Sequence, residues 1–395
     1  MKLTIWGAAR QVTGSMHLLE LDNGYKVLID CGLDYEQQRF FNSGFVMEFP
    51  FNPASINALI LTHAHIDHSG NIPLLVNHGF RGDIICTPPT ADLVSYLLLD
   101  SVKIQLQEAN KKNNGKKNKV KPLYTEFHVH RALDQLVTLE FHKKVDLKDG
   151  LSIEFFEAGH ILGAASVKIQ ADGKTIGFTG DIGNPGSKLV RDAEPIAGLD
   201  YLVSESTYGG RFHQSKQSAE DELLQYIHST CVDQPGRLII PAFSVGRTQS
   251  IVFTLHQLKL RGLLPPIKIF VDSPLAIKTT HLYEKYRSYL NDETEAFYQK
   301  NKSVFEFDGL EYLEKERESE AIMSHFEPCI IVSAAGMVEG GRIQEHIRNN
   351  IGNSYANILI AGFCAEGTLG YRLLQGQNKI SIKGRDYKVY SGVFK

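Results

Sequence analysis

The 395-residue sequence predicts an α/β protein in two parts: a β-rich sandwich with helices outside, then a unit built on a parallel sheet. Three observations carry this. Hairpin signals and short apolar strands dominate the first ~200 residues. From there a strand, a loop and a helix recur in series. Histidines and acids gather where strands end, the place where a rigid scaffold presents chemistry.

Taken in order, LTIWGAA and SMHLLELD lead to Asn23-Gly24 and then YKVLIDCG. Asn-Gly between apolar runs signals a two-residue hairpin turn. INALILT is a short continuous apolar strand, and Asp67 or Ser69 can cap a helix over NIPLLVNHG. SVKIQ and KTIGFTGD flank Asp172-Gly173, a further hairpin. The pattern changes after the turn-rich junction Tyr208-Gly209-Gly210. RLIIPAF precedes a helix around TQSIVFTLHQLK, and KIFVDSP precedes a helical stretch from about Ile277 to Leu290. CIIVSAAG precedes RIQEHIRNN, and ANILIAGF precedes TLGYRLLQ. Four such units in a row call for a parallel sheet.

A hydrophobic content of 43% supports full cores, and no apolar run reaches the ~20 residues of a membrane span. MKLTIWGAARQVTG enters a strand pattern directly, without the apolar stretch of a signal peptide. Cys31, Cys86, Cys231, Cys329 and Cys364 are scattered, odd in number and without a CxxC pair, which suits reduced thiols. A cytoplasmic protein is expected, or a nuclear one in a eukaryote, with no membrane partner. The net charge of −3 gives no global signal for nucleic acid. The local exception is KKNNGKKNKVK, with Lys111, Lys112, Lys116, Lys117, Lys119 and Lys121. It reads as a solvated loop or, more sharply, as a patch that attracts phosphate.

The densest chemistry is LTHAHIDHSG, Leu61 to Gly70. His63 and His65, one residue apart in extended chain, point to the same side and can share an ion. Asp67 and His68 follow where the chain turns into a helix and can serve a second, neighbouring position. Imidazole and carboxylate ligands with a place left for water suit zinc. Surface histidines placed by coincidence are the alternative, and the order strand, ligand loop, helix argues against it. AGHILGAAS adds His160, and FTGDIG adds Asp181 at the end of an apolar strand. His160 can complete the first position, and the two oxygens of Asp181 can bridge both.

HAHIDHSG, AGHILGAAS, FTGDIG and Asp30 in LIDCG resemble the motifs of the metallo-β-lactamase fold, in order and spacing. That resemblance implies an αββα sandwich with a metal site at one edge. SESTYGGR, Ser204 to Arg211, resembles the acidic motif that opens the β-CASP insert, with Glu205 as its acid. IPAFSVGRTQ, Ile240 to Gln249, resembles another β-CASP signature, and SAAGMVEGGR and GFCAEGTLG resemble further turns of that insert. The likeness spans nearly the whole chain. It lies closest to the RNA-processing branch: the nuclease subunit of the cleavage and polyadenylation factor, its bacterial and archaeal relatives and, more distantly, RNase J.

The resemblance implies a metallo-β-lactamase domain over 1–207, an inserted β-CASP domain over 208–375, and in 376–395 the start of a return to the first domain. It implies a ribonuclease with two Zn2+ that hydrolyses RNA phosphodiester bonds through a metal-bound hydroxide, as an endonuclease or a 5′-3′ exonuclease. Asp67 would act in catalysis as well as binding metal, and Asp30 and Glu205 would fix histidine tautomers. Two histidines that family members supply after the insert have no counterpart here; His325 and His346, the last in the chain, sit in other settings. The second metal position therefore reads as one ligand short: either the chain is a truncated form, or the second ion binds more weakly, or another chain supplies the ligand.

The physics of the second half fits an RNA substrate. In AFSVGRTQ a strand ends, a glycine loosens the loop and a helix begins. Helix N-termini attract phosphate, and Arg247 adds a forked cation. SAAGM and EGTLG repeat the arrangement. Ser244, Gly246, Arg247, Gly336, Gly340 and Gly367 are thus expected to meet RNA phosphates, with single-stranded RNA as the occupant. Plain helix capping is the alternative for any one loop. Phe243 is either a stacking face or core. A homodimer or an RNA-processing complex is the further expectation for partners. Three rivals stand beside the nuclease: another hydrolase on the same metal site, for thioesters or lactones; a non-catalytic RNA-binding scaffold; and, weaker, a DNA-repair relative on the same architecture, which the likeness of IPAFSVGRTQ to the RNA branch opposes. The absent histidines favour the scaffold, and the intact ligand set opposes it.

Overall fold

A computed structural model describes residues 1–34, 48–113, 120–210, 216–325 and 327–395. Lys116, Lys117, Lys119 and Arg211, named above, lie outside the described residues. The chain divides into two compact units. The first holds Met1–Gly209 with Ser288–Asn291, and the second holds Gly210–Arg287 with Asp292–Lys395.

The first unit has two sheets. One runs in chain order through β1 (Lys2–Ile5), β2 (His17–Glu20), β3 (Lys26–Ile29), β4 (Ala58–Ile60), β5 (Asp83–Cys86) and β6 (Leu136–Thr138). β1 to β3 pair antiparallel, with β2 and β3 joined across Asn23-Gly24; β3 to β6 pair parallel. The other sheet comprises β7 (Val145–Asp146), β8 (Ser152–Glu157), β9 (Ala165–Ala171), β10 (Lys174–Phe178) and β11 (Tyr201–Val203), with β11 at one edge. β9 and β10 pair across Asp172-Gly173. Leu19, Val27, Ile29, Ile60 and Ile85 of the first sheet share one core with Phe155, Val167, Ile169, Ile176 and Phe178 of the second. All three residues of β4 are buried, which explains its unbroken apolar run. The helices are α1 (Ile66–Ser69), α2 (Ile72–Asn77), α3 (Pro88–Asn113) and α4 (Glu126–Leu133), with α4 packed on α2 and α3.

The second unit contains α5 (Lys216–Ile227), β12 (Arg237–Pro241), α6 (Arg247–Leu260), β13 (Lys268–Val271), α7 (Pro274–Lys285), α8 (Asp292–Lys300), β14 (Leu310–Tyr312), α9 (Glu316–Met323), β15 (Cys329–Ser333), α10 (Ile343–Asn350), β16 (Ala356–Leu359), α11 (Leu369–Leu374), β17 (Lys379–Ile382), β18 (Arg385–Lys388) and β19 (Gly392–Phe394). Its main sheet has the order β14-β13-β15-β12-β16-β19 and is parallel throughout.

Two sequence expectations need correction here. The helical stretch read from about Ile277 to Leu290 is two pieces rather than one: α7 ends at Lys285, and after Tyr286 a 3-10 helix covers Arg287–Tyr289, where the chain joins the first unit. There Tyr289 is buried, Leu290 bridges to Val190, and the Asn291 N–H donates to the Leu189 carbonyl at 2.9 Å. Residues 376–395, read as the start of a return to the first domain, belong to the second unit. β19 extends its sheet, and Ile380, Ile382, Tyr387, Val389 and Val393 pack into the core cluster of Ile239, Ile347 and Ile358. These side chains are apolar and find a core beside β16, so the segment stays there. Among the described residues no helix is long and apolar enough to cross a membrane. All five cysteines are buried and free.

Candidate metal centre

β4 ends at Ile60 and delivers Thr62, His63 and His65 to the margin of its sheet, with His68 one turn on in α1. The loop after β8 brings His160 to the same place, and the loop after β10 brings Asp181. Each of His63, His65, His160 and Asp181 offers a ligand atom, and these atoms all lie within 4.8 Å of one another. His160 Nε2 faces His65 Nδ1 at 3.1 Å. Asp181 Oδ2 lies 3.5 Å from His160 Nε2 and 3.7 Å from His63 Nε2. Its other oxygen, Oδ1, lies 3.1 Å from His68 Nε2. The carboxylate is thus shared between a group of three histidines and His68. Glycines make the convergence possible. A Cβ on Gly183 would stand 1.6 Å from the Gly159 carbonyl oxygen, so the loops carrying Asp181 and His160 touch backbone to backbone.

The buried face of the site fixes which nitrogens look inward. Asp30 is buried and accepts the Thr62 N–H at 2.8 Å and the Thr62 hydroxyl at 2.9 Å. With its one hydrogen given to Asp30, the Thr62 oxygen accepts from His63 Nδ1 at 3.1 Å. His63 Nε2 is left as a lone pair, buried and without a hydrogen-bond partner. Asp30 Oδ2 also accepts from His68 Nδ1 at 2.7 Å, which turns His68 Nε2 toward Asp181. An orphaned imidazole nitrogen beside two histidines and a carboxylate fits a divalent cation of the kind imidazole and carboxylate bind.

The electrostatics follow the same division. Burial, reinforced by His68, holds His63 well below the usual imidazole range. Burial also works against charge on His68, but Asp181 and Asp30 outweigh it and hold that pKa well above the usual range. Asp181 is held well below the carboxylate range: burial opposes its charge, and His68, His63 and His160 overcome it. Asp67 is half-buried and lies outside the four-residue group. Burial pushes it up to about 6, against the opposing pull of His68.

Not every expected residue behaves as read. Asp30 meets a histidine, as expected. Glu205 meets none among the described residues: its oxygens accept the N–H groups of Ile182 at 3.2 Å and Thr207 at 3.0 Å. Glu205 therefore braces the loop beside Asp181 instead of setting a tautomer. Thr62, which links Asp30 to His63, was missed by the sequence reading. Its only sequence signal is a hydroxyl next to the first histidine, too common to stand out.

Ser244, Gly246, Arg247, Gly336, Gly340 and Gly367 all follow the C-terminal ends of parallel strands in the second unit. Arg247 is exposed. The helix starts nearby already have internal partners. The Gly246 N–H donates to Gln249 Oε1 at 2.7 Å, and the Ser244 carbonyl accepts from Gln249 and Thr279. Thr368 caps α11, and the Leu369 N–H donates to Glu339 Oε1 at 2.6 Å. A Cβ on Gly336 would stand 2.8 Å from the Phe243 ring, so Phe243 packs against that loop.

Comparison with known proteins agrees with this architecture. Residues 9–228 match the family model of the metallo-beta-lactamase superfamily, and residues 248–373 match the Beta-Casp domain. Ribonuclease TTHA0252 of Thermus thermophilus is 32% identical over all of this chain and 86% of its own length. An RNase J-like protein of Methanocaldococcus jannaschii is 31% identical over 98% of this chain and 85% of its own length. The transcription termination factor FttA of Methanosarcina mazei is 29% identical, and this chain spans 60% of it. The chain belongs to the metallo-beta-lactamase superfamily. Its second unit carries the Beta-Casp domain.

Proposed function

We propose that this protein is a zinc-dependent ribonuclease that hydrolyses phosphodiester bonds of single-stranded RNA. The observation that carries the reading is the convergence of His63, His65, His160 and Asp181, with His63 Nε2 buried and unpartnered. The ribonuclease name of the Thermus relative supports the substrate class. His63, His65, His160 and Asp181 would hold one ion; Asp181, His68 and Asp67 would contribute to a second. Zinc, when bound, supplies a Lewis acid and lowers the pKa of water in its open position toward ~7.

The chain's own groups do the rest. Asp30 holds the proton on His68 Nδ1, and through Thr62 it keeps the one on His63 Nδ1, so both rings turn Nε2 to the site. Asp67, half-buried beside His68, takes the proton of the attacking water. Glu205 fixes the backbone that aims Asp181. The loops after β12, β15 and β16 would meet the RNA backbone through Ser244, Gly246, Arg247, Gly336, Gly340 and Gly367. Because several of their N–H groups are internally capped, Arg247 is the strongest contributor among them.

The test is zinc quantification together with cleavage of 5′- and 3′-labelled RNA. Wild type should carry zinc and cut RNA. Asp67→Ala should lose on the order of 10²-fold or more in kcat while keeping at least one ion. A wild type that cleaves a thioester panel and leaves RNA intact, or that binds RNA unchanged under chelation without cutting it, would refute the proposal.

A further inference from the structure

The geometry points to a second single-stranded RNA contact at the end of α3 and the exposed side of α4, in which Phe127 stacks on a base and Lys111, Lys112 and Lys121 meet phosphates. The inference rests on the ribonuclease reading for its ligand, and its observations are independent of the metal centre.

Phe127 is 64% exposed. The ring gains little from packing where it stands and presents its face to whatever binds there. The Arg131 guanidinium, one turn on, lies 5.8 Å from the ring centroid, and the His128 ring meets it edge-on at 5.6 Å. An exposed ring backed by a cation is the arrangement on which nucleobases stack without regard to sequence. The helix is well anchored beneath it. Thr125 and His128 close a capping box, Val129 and Ala132 are buried, and α4 packs on α2.

Charge complements the ring. Among the described residues from Lys103 to Asp134, Lys103, Lys111, Lys112, Lys121 and Arg131 outnumber the acids Glu108, Glu126 and Asp134, in a chain of net charge −3. The two ends of the lysine run are drawn together. Asn113 Nδ2 donates to the Val120 carbonyl at 2.9 Å, and the Val120 N–H donates to Asn113 Oδ1 at 2.6 Å. Beyond it, the Leu123 N–H donates to Gln105 Oε1 at 2.9 Å, and the buried Tyr124 hydroxyl pairs with Ser101 at 2.9 Å. The segment that carries Lys121, six residues before Phe127, is thereby tied to α3, whose last turn carries Lys111 and Lys112. A solvated charge run would need neither these ties nor an aromatic neighbour. A polyanion with free bases uses both.

The experiment measures binding of a fluorescein-labelled phosphorothioate oligouridylate, which resists hydrolysis, to the protein as purified, across a salt series. Phe127→Ala should raise Kd about 5-fold or more, and Phe127→Trp should restore it. Replacing Lys111, Lys112 and Lys121 with Ala together should lower the slope of log Kd against log salt by about 2. All these variants should hydrolyse bis(p-nitrophenyl) phosphate at the wild-type rate, which keeps loss of folding separate from loss of the contact. Unchanged Kd and slope in the variants, with wild type still binding RNA, overturn the contact alone. A Phe127→Ala defect that tryptophan does not restore also overturns it. A wild type that neither binds nor cuts RNA overturns the ribonuclease reading with it.

Discussion

Both units set an aspartate against histidine, and they treat it in opposite ways. In the second unit Asp272 is fully buried at the end of β13. Its Oδ1 accepts from Arg342 at 2.6 Å, and its Oδ2 accepts from His346 at 2.6 Å and Ser319 at 2.5 Å. Every lone pair that faces the interior is answered, and its pKa is lowered: burial raises it, but His346, Ser319 and Arg342 prevail. In the first unit Asp181 faces His63, His65, His160 and His68, and a buried nitrogen of His63 has no hydrogen-bond partner. The residue types are similar; what differs is whether the set is complete. A complete set holds loops in place. An incomplete one has lone pairs left for a cation to answer.

The sharpest way to break that contrast is to remove the two aspartates in turn. Asp181→Ala should reduce RNA cleavage on the order of 10³-fold, read as kcat with metal in excess, while the unfolding midpoint of the second unit stays put. Asp272→Ala leaves Arg342 and His346 without their acid. It should cost about 3–5 kcal/mol of stability, read by denaturant unfolding, with metal content unchanged. Metal loss in Asp272→Ala would erase the distinction.

Glu157 lies between the two extremes. It is buried with one partner, Arg191, at 3.1 Å. Burial raises its pKa from 4.5 to about 7, against the pull of Arg191. A carboxyl with a raised folded-state pKa binds more protons folded than unfolded, so its effect on stability worsens as pH climbs from about 4.5 through about 7. Thermal unfolding should show wild type losing up to roughly 3 kcal/mol over that window relative to Glu157→Gln. Parallel pH profiles for the two proteins would contradict it. A smaller effect is expected at Asp30, which touches the site only through Thr62 and His68. Asp30→Ala should weaken metal affinity about 10–100-fold, measured by competition with a chelator.

How much of this was legible in the sequence depends on distance along the chain. His63 and His65 sit one residue apart in extended chain, so strand geometry alone predicts their convergence, and His68 follows within six residues of His63. His160 and Asp181 were legible because each follows an apolar strand, and strand ends of one sandwich meet at its margin. Thr62 was not, since its role lies in a hydrogen bond that no periodicity reports. Glu205 was placed near the site but given the wrong partner: an acid's choice between an imidazole and a backbone N–H is decided by loop geometry. The visit of Ser288–Asn291 to the first unit escaped notice because four residues carry no pattern. In the strand–loop–helix series the elements were readable, whereas the inward capping by Gln249, Thr368 and Glu339 was not.

The most direct measurement is metal content per chain, by mass spectrometry of the elements, for wild type, His63→Ala with Asp181→Ala, and His346→Ala. At least one equivalent of zinc in wild type and in His346→Ala, with none in the double variant, is the expected result. Zinc absent from wild type, or retained when His63 and Asp181 are gone, would contradict the claim that the unanswered set in the first unit is a metal centre.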